Sequence, residues 1–301
     1  MAKKMNCNGV LVVNKPVGPT SHDIVYRCRR LTGPGIKVGH TGTLDPFASG
    51  VLVVVTGQAT RLASYLQASQ KEYLAEIRLG RETDTHDREG RTVAEGQVPV
   101  LDDNEIEALL DRFRGPIRQV PPMYSAIKIN GERLYKAARR NETVERPPRE
   151  VEIFSLELRE RAPDRLGLEI RCSSGTYIRS LARDLGRTIG CGAHLASLVR
   201  TRSGDFTLDE ARTLEEIAED TAGSLVPMNA LLTEMPCVEL DDSEADLILN
   251  GQALARPAPA EGREFRVLHR GDLLALAIRD GECIRPKLVL KPSGENGPVR
   301  K

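Results

Sequence analysis

Residues 39–46, Gly39-His40-Thr41-Gly42-Thr43-Leu44-Asp45-Pro46, run into the apolar segment 51–55 (VLVVV). The glycines permit a tight turn and let a ligand approach the main chain, and Pro46 pushes Asp45 toward an extended backbone. The stretch therefore predicts a stiff loop that presents Asp45 just ahead of a buried strand. One alternative stays open, because Asp followed by Pro also favours a helix start with Asp45 as its N-cap.

The composition limits the class of protein. A chain of 301 residues that is 40% hydrophobic is long enough for one large domain and a small one. Its six cysteines form no C-x-x-C pair, which argues against a zinc site or a disulfide framework and for a reducing compartment. No apolar run resembles a signal peptide or a membrane span. We therefore expect a cytoplasmic protein that does not bind a membrane.

A net charge of zero hides an uneven distribution of charge. Residues 205–250 carry one basic and 13 acidic side chains, whereas residues 1–204 have eight more basic than acidic ones. Arginine outnumbers lysine, and arginine is the better partner for phosphates and for stacked bases. A GC-rich genome would also enrich arginine, so the charge pattern alone does not assign a nucleic-acid partner.

Hydrophobic periodicity predicts the order of helices and strands. Strands are expected at 10–13, 51–55, 73–79, 151–158 and 166–172, and helices at 24–31, 102–113, 176–189 and 209–219, with mostly loop at 33–50. Residues 118–149 are rich in Pro, Arg and Lys, which indicates an exposed excursion. A boundary near residue 235 precedes three short strands at 265–268, 273–278 and 287–290.

The candidate chemistry consists of a carboxylate, arginines and tyrosines. The histidines lack metal-ligand spacing, and no Walker loop, dinucleotide fingerprint or G-x-S-x-G elbow is present, so neither a metal nor a cofactor is expected. The helix 176–189 aligns Arg179, Arg183 and Arg187 along one ridge. A cation in the first turn of a helix interacts unfavourably with the helix dipole. We therefore expect an anion close to Arg179, either Asp45 or a phosphate. A solvated arginine face is the alternative.

Several other residues have two interpretations each. Tyr73, at the start of a strand, suits either the core or a platform on which a base stacks, and Tyr177 beside Arg179 is equally ambiguous. His40 is a structural hydrogen-bonding residue or a catalytic one. Lys15-Pro16 follows a predicted strand. These residues either line a binding site or do no more than end that strand.

Six blocks in order resemble the TruB family of tRNA pseudouridine-55 synthases. They are residues 9–18 (GVLVVNKPVG), 38–52 (VGHTGTLDPFASGVL), 71–73 (KEY) with 83–87 (TDTHD), 121–138 (PPMYSAIKINGERLYKAA), 172–184 (CSSGTYIRSLARD) and 195–208 (LASLVRTRSGDFTL). The resemblance covers nearly all of residues 9–235, and the chain from about 238 looks like the family's small PUA unit. Phe47, Ser49 and His86 depart from the commoner residues at positions outside the catalytic ones.

The resemblance implies an α+β fold with a mixed, largely antiparallel central sheet flanked by helices, followed by a small β-rich PUA-like domain. The implied division is a catalytic domain at 1–236, including an RNA-clasping excursion at about 118–149, and an RNA-binding domain at 237–301.

The resemblance also assigns roles to residues. Asp45 aligns with the essential aspartate, Tyr73 with the tyrosine that stacks on the target base and is a candidate proton acceptor, and Arg179 with the arginine that pairs with the aspartate. His40 aligns with the histidine that holds flipped bases. The expected substrate-binding set also includes Lys15, Pro16, Gly42, Tyr177 and Leu198, with Lys136, Arg139 and Arg140 contacting RNA phosphates.

The implied activity is isomerisation of uridine to pseudouridine at position 55 in the T-loop of tRNA, by base flipping and re-formation of the glycosidic bond through C5. No cofactor or metal is required, the partner is the tRNA T-arm, and a monomer is expected. Attack of the carboxylate on C1′, attack on C6 and abstraction of the 2′ proton all remain open.

Two rival interpretations remain at this point. One is the RNA-guided dyskerin group, which shares the aspartate loop, although the chain lacks basic tails and carries the 118–149 excursion. The other is a non-catalytic protein that binds or folds RNA. An RNA-folding role is compatible with catalysis.

Overall fold

The computed structural model describes residues 7–124, 128–129, 132–133, 140, 144–257, 259 and 263–290, with the backbone alone at 128–129 and 132–133. Within them the strands are β1 (Gly9–Lys15), β2 (Val38–His40), β3 (Ser49–Thr56), β4 (Lys71–Leu79), β5 (Arg81–Thr83), β6 (Thr92–Glu95), β7 (Gly115–Gln119), β8 (Lys128–Ile129), β9 (Glu132–Arg133), β10 (Arg149–Ala162), β11 (Arg165–Cys172), β12 (Ala193–Ser203), β13 (Phe206–Thr207), β14 (Leu225–Pro227), β15 (Cys237–Glu239), β16 (Leu254–Ala255), β17 (Glu264–His269), β18 (Asp272–Asp280) and β19 (Cys283–Val289). The α-helices are α1 (Ser21–Thr32), α2 (Ala63–Gln67), α3 (Asp103–Asp111), α4 (Ile178–Ile189), α5 (Leu214–Glu219) and α6 (Asp242–Leu249).

Two sheets carry the fold. The larger has the order β14-β1-β3-β12-β4-β11-β10-β7, with β2 on β3 and β13 on β12, and each pairing is antiparallel except that of β3 with β12. The smaller has the order β15-β17-β18-β19-β16. The predicted α+β class, with a mixed and largely antiparallel central sheet and a β-rich C-terminal part, is confirmed.

Strand β3 is buried on both faces, which explains why its sequence is a continuous apolar run. Leu52 and Val54 join the core beneath the helices. Val51 and Val53 face the other way, into a second cluster that includes Leu276 of the smaller sheet. The same strand therefore supports the loop of Asp45 at one end and the smaller sheet along one face.

Strand β4 shows the alternation that its sequence predicts. Tyr73, Ala75, Ile77 and Leu79 are buried, whereas Leu74 between them is 44% exposed. The strand lies between β12 and β11, in the middle of the larger sheet. Tyr73, the third residue of β4, therefore lies near the beginning of a central strand.

The start of helix α1 is fixed by a capping residue. Thr20 is the N-cap, and a capping box joins it to Asp23 in both directions. Helix α4 packs on β12, with Leu181, Ala182 and Leu185 buried in the core beneath the sheet. These two helices bring the Asp45 loop and Arg179 to the same side of the sheet.

Two predicted helix starts were wrong, whereas the stretch at 33–50 is mostly loop, as predicted. The helix expected from 176 begins at Ile178, because the side chain of Gln119 binds both the N–H and the carbonyl of Tyr177 and keeps that residue extended. The helix expected from 209 begins at Leu214, since the N–H of Arg212 donates to Val12 of β1. The loop at 33–50 contains β2.

All six cysteines carry free thiols. Among the described residues, the helices are too short or too polar to cross a membrane. Of the predicted excursion at 118–149, only its two ends and a few backbone positions lie within the described residues.

Candidate active site

The loop that carries Asp45 is fixed by hydrogen bonds from two other elements. The hydroxyl of Ser21 on α1 accepts from the N–H of Leu44 and donates to its carbonyl, both at 2.8 Å. The Nζ of Lys15, a residue with no exposed surface, donates to the carbonyl of Ala48 at 2.6 Å and to that of Pro46 at 3.4 Å. The sequence expectation of a stiff loop is what the structure shows.

No helix starts at Asp45, so that alternative is wrong. The N–H of Ala48 donates to the carbonyl of Asp45 at 3.1 Å, which closes a turn, and β3 follows at Ser49. The side chain of Asp45 is 30% exposed. It binds an arginine and does not cap a helix. A carboxylate is therefore presented to solvent from a fixed loop.

Arg179 holds both oxygens of that carboxylate. Its Nε lies 2.9 Å from Oδ2 of Asp45, and its Nη2 lies 3.1 Å from Oδ1. The remaining guanidinium hydrogens go to the carbonyls of Thr85 and Tyr124 and to Oδ2 of Asp87. Since the side chain is only 6% exposed and fully engaged, the guanidinium has a single defined orientation.

Asp87 is a functional residue that the sequence analysis missed. Its Oδ1 accepts from the hydroxyl of Thr85 at 2.6 Å and from the N–H of Glu89 at 3.1 Å, and its Oδ2 lies 3.3 Å from Arg179. Its position at the end of the block TDTHD, in a segment that already matched the family, was the available signal. The structure places it as the carboxylate that orients Arg179.

Burial and charge act on Asp45 in opposite directions. Burial raises the pKa of the Asp45 carboxyl above its usual range, and the negative charge of Asp87 acts in the same direction. The Arg179 guanidinium, and Lys15 behind the loop, oppose this rise in pKa. The charge of Arg179 favours the ionised carboxylate, but its effect on the pKa is smaller than that of burial.

Arg200 is the second functional residue that was missed. It is buried on β12, directly opposite Tyr73 of β4, and its side chain donates to the carbonyl of Val51 at 2.7 Å and to that of Gly42 at 3.1 Å. At Gly50 an added Cβ would lie 2.2 Å from the Arg200 carbonyl, so only glycine fits there. An arginine inside an apolar strand was the signal. It ties the Asp45 loop to the strand of Tyr73.

Tyr73 is a core residue, 8% exposed, that also faces this arginine. Burial raises the pKa of the Tyr73 phenol, and the nearby charge of Arg200 and a hydrogen bond with it oppose that rise. The phenol is therefore protonated at neutral pH. The core interpretation of Tyr73 is confirmed, and its stacking on a base stays a prediction.

The other predicted substrate-binding residues divide into buried and accessible ones. Lys15 and Leu198 are buried, and burial lowers the pKa of Lys15 to about 8. Pro16 is exposed, and His40 is half-buried at the end of β2. Burial and the charge of Arg200 lower the pKa of His40, so its ring is neutral at pH 7. Gly42 and Tyr177 are half-buried.

The arginine ridge on α4 is only partly a solvated face. Arg183 is 7% exposed, whereas the side chain of Arg187 is 60% exposed and forms two hydrogen bonds with Glu82, at 2.9 and 2.7 Å. Of the three residues expected to contact RNA phosphates, Arg140 is exposed in a turn. Lys136 and Arg139 lie outside the described residues.

Comparison with known proteins relates this chain to the pseudouridylate synthases. Residues 29–178 match the family described as TruB family pseudouridylate synthase (N terminal domain). Residues 179–233 match the tRNA pseudouridylate synthase B C-terminal domain, and residues 236–290 match Pseudouridine synthase II TruB, C-terminal. The chain belongs to the TruB family.

Individual relatives agree with this assignment. The chain is 42% identical over 285 residues to tRNA pseudouridine synthase B of Caldanaerobacter subterraneus subsp. tengcongensis, covering 94% of this chain and 99% of the relative. It is 49% identical over 251 residues to the protein of the same name from Symbiobacterium thermophilum, covering 82% and 83%. A chain in the crystal structure of a Cbf5-Nop10-Gar1 complex superposes with a TM-score of 0.74 at 26% identity, covering 96% of this chain and 87% of that chain.

Proposed function

We propose that this protein converts uridine to pseudouridine at position 55 in the T-loop of tRNA. The observation that carries the proposal is the pairing of Arg179 with both oxygens of Asp45, at 2.9 and 3.1 Å, on a fixed loop that leaves the carboxylate partly exposed. The names of the relatives, tRNA pseudouridine synthase B, support the choice of RNA.

The reaction needs what this site offers. The bond from N1 of uracil to C1′ of the ribose breaks, the base turns, and C5 bonds to C1′. The proton on C5 is lost and N1 gains one, so that no atom or electron is exchanged with a cofactor. One ionised carboxylate supports each of three courses, namely attack of Asp45 on C1′, attack on C6, or removal of the 2′ proton to give a glycal.

The target nucleotide must leave its stack to reach Asp45. Unstacking costs a few kcal/mol, and contacts between the base and the protein offset that cost. In this proposal the base contacts Tyr73 and Leu198, which are buried on the neighbouring strands β4 and β12. His40, which is neutral and half-buried, and Pro16, which is exposed, contact the flipped RNA strand in this proposal.

The rest of the chain supplies RNA contacts in this proposal. Residues 1–236 form the catalytic domain, its basic excursion at about 118–149 clasps the T-arm, and residues 237–301 form a PUA-like RNA-binding domain. The protein acts as a monomer and, by holding the T-arm, also assists tRNA folding. The acidic segment 205–250 faces away from the RNA, because phosphates would repel it.

The direct test uses an unmodified T-arm transcript labelled with tritium at C5 of its uridines. Release of tritium by the purified protein, together with mapping of pseudouridine to position 55, is expected. Asp45→Asn should abolish release and keep RNA binding within about threefold, since it preserves size and hydrogen bonding but removes the charge. Asp84→Asn is the matched control, because Asp84 lies exposed in the β5–β6 connection and binds only backbone there.

Three results would contradict the proposal. Near-normal tritium release by Asp45→Asn would remove Asp45 from the chemistry. Tight binding of the transcript by the wild-type protein without any product would favour a non-catalytic RNA-binding protein. Product that appears only after a guide RNA and partner proteins are added would favour the RNA-guided group, although the chain is more similar to bacterial synthases, at 42–49% identity, than to the Cbf5 chain, at 26%.

A further inference from the structure

We propose that Arg146, Arg183 and His86 form a binding site for one phosphodiester of the RNA strand, next to the catalytic pair. The proposal rests on the proposed function, because it assigns the site to the strand that carries the target nucleotide. None of the three residues contacts Asp45, and none is used in the chemistry described above.

His86 supplies the first observation. It is 8% exposed, and its Nδ1 is buried without a hydrogen-bond partner among the residues that the structure describes. Its backbone has φ of 61°, an unusual conformation for a residue other than glycine. Burial and four nearby arginines lower its pKa to about 3, so the ring is neutral and carries a proton on one of its two nitrogens. With that proton on Nδ1, the ring has a buried donor that a phosphate oxygen would satisfy.

Arg146 supplies the second observation. Its Nη1 donates to the carbonyl of Pro121 at 3.0 Å, and its Nε is buried without a partner in the described part of the chain. The structure shows no carboxylate paired with it among the described residues. The residue before Pro121, Val120, accepts at its carbonyl from the hydroxyl of Ser180 at 2.8 Å, so Arg146 is held beside the helix that carries Arg183. Burial and the charge of Arg183 both lower the pKa of Arg146. Two neighbouring cations with an unfilled donor favour an anion between them.

Arg183 completes the site from helix α4, one turn after Arg179. It is 7% exposed, and its Nε and Nη2 both bind the same oxygen of Asp184, at 2.8 and 2.7 Å. This short-range pairing with the next residue leaves part of the guanidinium for a second anion. The other carboxylates of the region are already engaged, Asp45 and Asp87 by Arg179 and Glu82 by Arg187.

Position favours a phosphodiester of the bound strand over other anions. The carbonyl of Thr85, the residue before His86, accepts from Nη1 of Arg179, so the proposed site adjoins the arginine that holds Asp45. Arginines recognise phosphates through paired N–H groups, and phosphate contacts fix the register of a nucleic acid without reading its sequence. A phosphate held here would fix the backbone while the nucleotide is flipped.

The test removes one phosphate charge at a time. T-arm RNAs are synthesised with a single methylphosphonate linkage, placed in turn at each position around the target uridine, and the dissociation constant is measured with wild-type protein and with the double variant Arg146→Gln/Arg183→Gln. One linkage is expected to weaken wild-type binding about tenfold, as for loss of a charged hydrogen bond, and to have no effect in the double variant. Arg78→Gln, which removes a surface cation paired with Asp164, is the control and should keep the wild-type response.

A salt titration gives a second readout. The slope of log affinity against log salt is expected to fall by about 0.7–0.9 in the double variant, the value for one lost phosphate contact. Circular dichroism and a thermal melt check that the variant is folded. If the variant does not fold, the scan with wild-type protein and with the single variant Arg146→Gln still decides the question, since Arg146 is not part of a helix or strand.

The proposal is overturned if no linkage affects the wild-type protein and the variant differently. It is also overturned if inorganic phosphate, at constant ionic strength, raises the melting temperature of the wild-type protein but not of the variant and no linkage responds, because the site would then hold free phosphate. Failure of the proposed function is distinguishable, since it appears as absence of tritium release whatever the binding results are.

Discussion

The carboxylate of Asp87 lies 3.3 Å from Nη1 of Arg179, on the guanidinium nitrogen that Asp45 does not use. Arg179 therefore lies between two carboxylates, one open to solvent and one buried. The buried one is itself held by Thr85 and by the backbone of Glu89. This arrangement fixes the guanidinium before RNA arrives, and pre-organisation of this kind is what electrostatic catalysis requires.

Asp87→Asn is expected to lower the rate of the chemical step by about 10- to 100-fold, because it replaces a charged hydrogen bond worth about 1.5–3 kcal/mol with a neutral one. RNA affinity should change little, since Asp87 is buried and its carboxylate is already engaged by Arg179 and Thr85. Single-turnover tritium release measures the rate, and filter binding measures the affinity. Asp84→Asn, in the same connection, should behave as wild type. Equal rates for the two variants would show that Arg179 needs no second partner.

Local patterns predicted the elements on which the site stands, but not the partners that come from distant segments. Arg179 in the first turn of a helix and Asp45 on its loop were both visible in the sequence, because helix position and turn residues are local features. Asp87 was not, since nothing in the sequence measures its distance to a helix that follows 92 residues later. Arg200 was not, because periodicity predicted no strand at 193–203, where the structure has β12.

The same limit applies to the fold. The run VLVVV predicted a buried strand, but not that one of its faces covers the smaller sheet, because burial on two faces leaves the same pattern as any short apolar run. The start of α4 was predicted two residues early, since Gln119, which keeps Tyr177 extended, is 58 residues away in the chain. Tertiary contacts decided both points.

The pH dependence of the single-turnover rate should report the pKa of Asp45, through the loss of activity at low pH that forms the acid limb of the profile. The proposed reaction uses the ionised carboxylate, so activity should be lost as pH falls through the pKa of Asp45 in the folded protein. Because burial raises that pKa, half-maximal single-turnover activity should fall above the ordinary value of about 3.9. Arg179→Gln removes the main opposing charge and should move the acid limb about 1–3 units higher. An unchanged limb in the variant would mean that another group controls it.

Arg200→Lys keeps the charge but cannot reach both carbonyls that Arg200 binds, those of Val51 and Gly42. The free energy of unfolding should fall by about 1–3 kcal/mol, as expected when a buried acceptor loses its donor. The Asp45 loop should also be less well fixed, so the single-turnover rate should fall in native buffer. Urea denaturation and tritium release measure the two effects. Arg202→Lys, at a partly exposed position on the same strand, is the control and should retain both.

The salt dependence of RNA binding tests the basic excursion. The triple variant Lys136→Gln/Arg139→Gln/Arg140→Gln should reduce the slope of log affinity against log salt by about 2, that is about 0.7–0.9 for each lost phosphate contact. The melting temperature should stay near that of the wild-type protein. A slope equal to the wild-type one would show that these three cations do not contact phosphates and that the T-arm is held elsewhere.

Neighbouring residues on β4 give a matched test of the core that supports Tyr73. Ile77 is completely buried on the face that carries Tyr73, whereas Leu74 is 44% exposed on the opposite face of the strand. Ile77→Ala should lower the free energy of unfolding by about 2–5 kcal/mol, because it opens a cavity in the sheet centre, and Leu74→Ala by less than about 1 kcal/mol. Urea denaturation measures the difference, with the same dependence of the unfolding free energy on urea concentration used for both variants. Equal losses would mean that β4 does not alternate between a buried and an exposed face, and Tyr73 would then not lie on a buried face of the sheet.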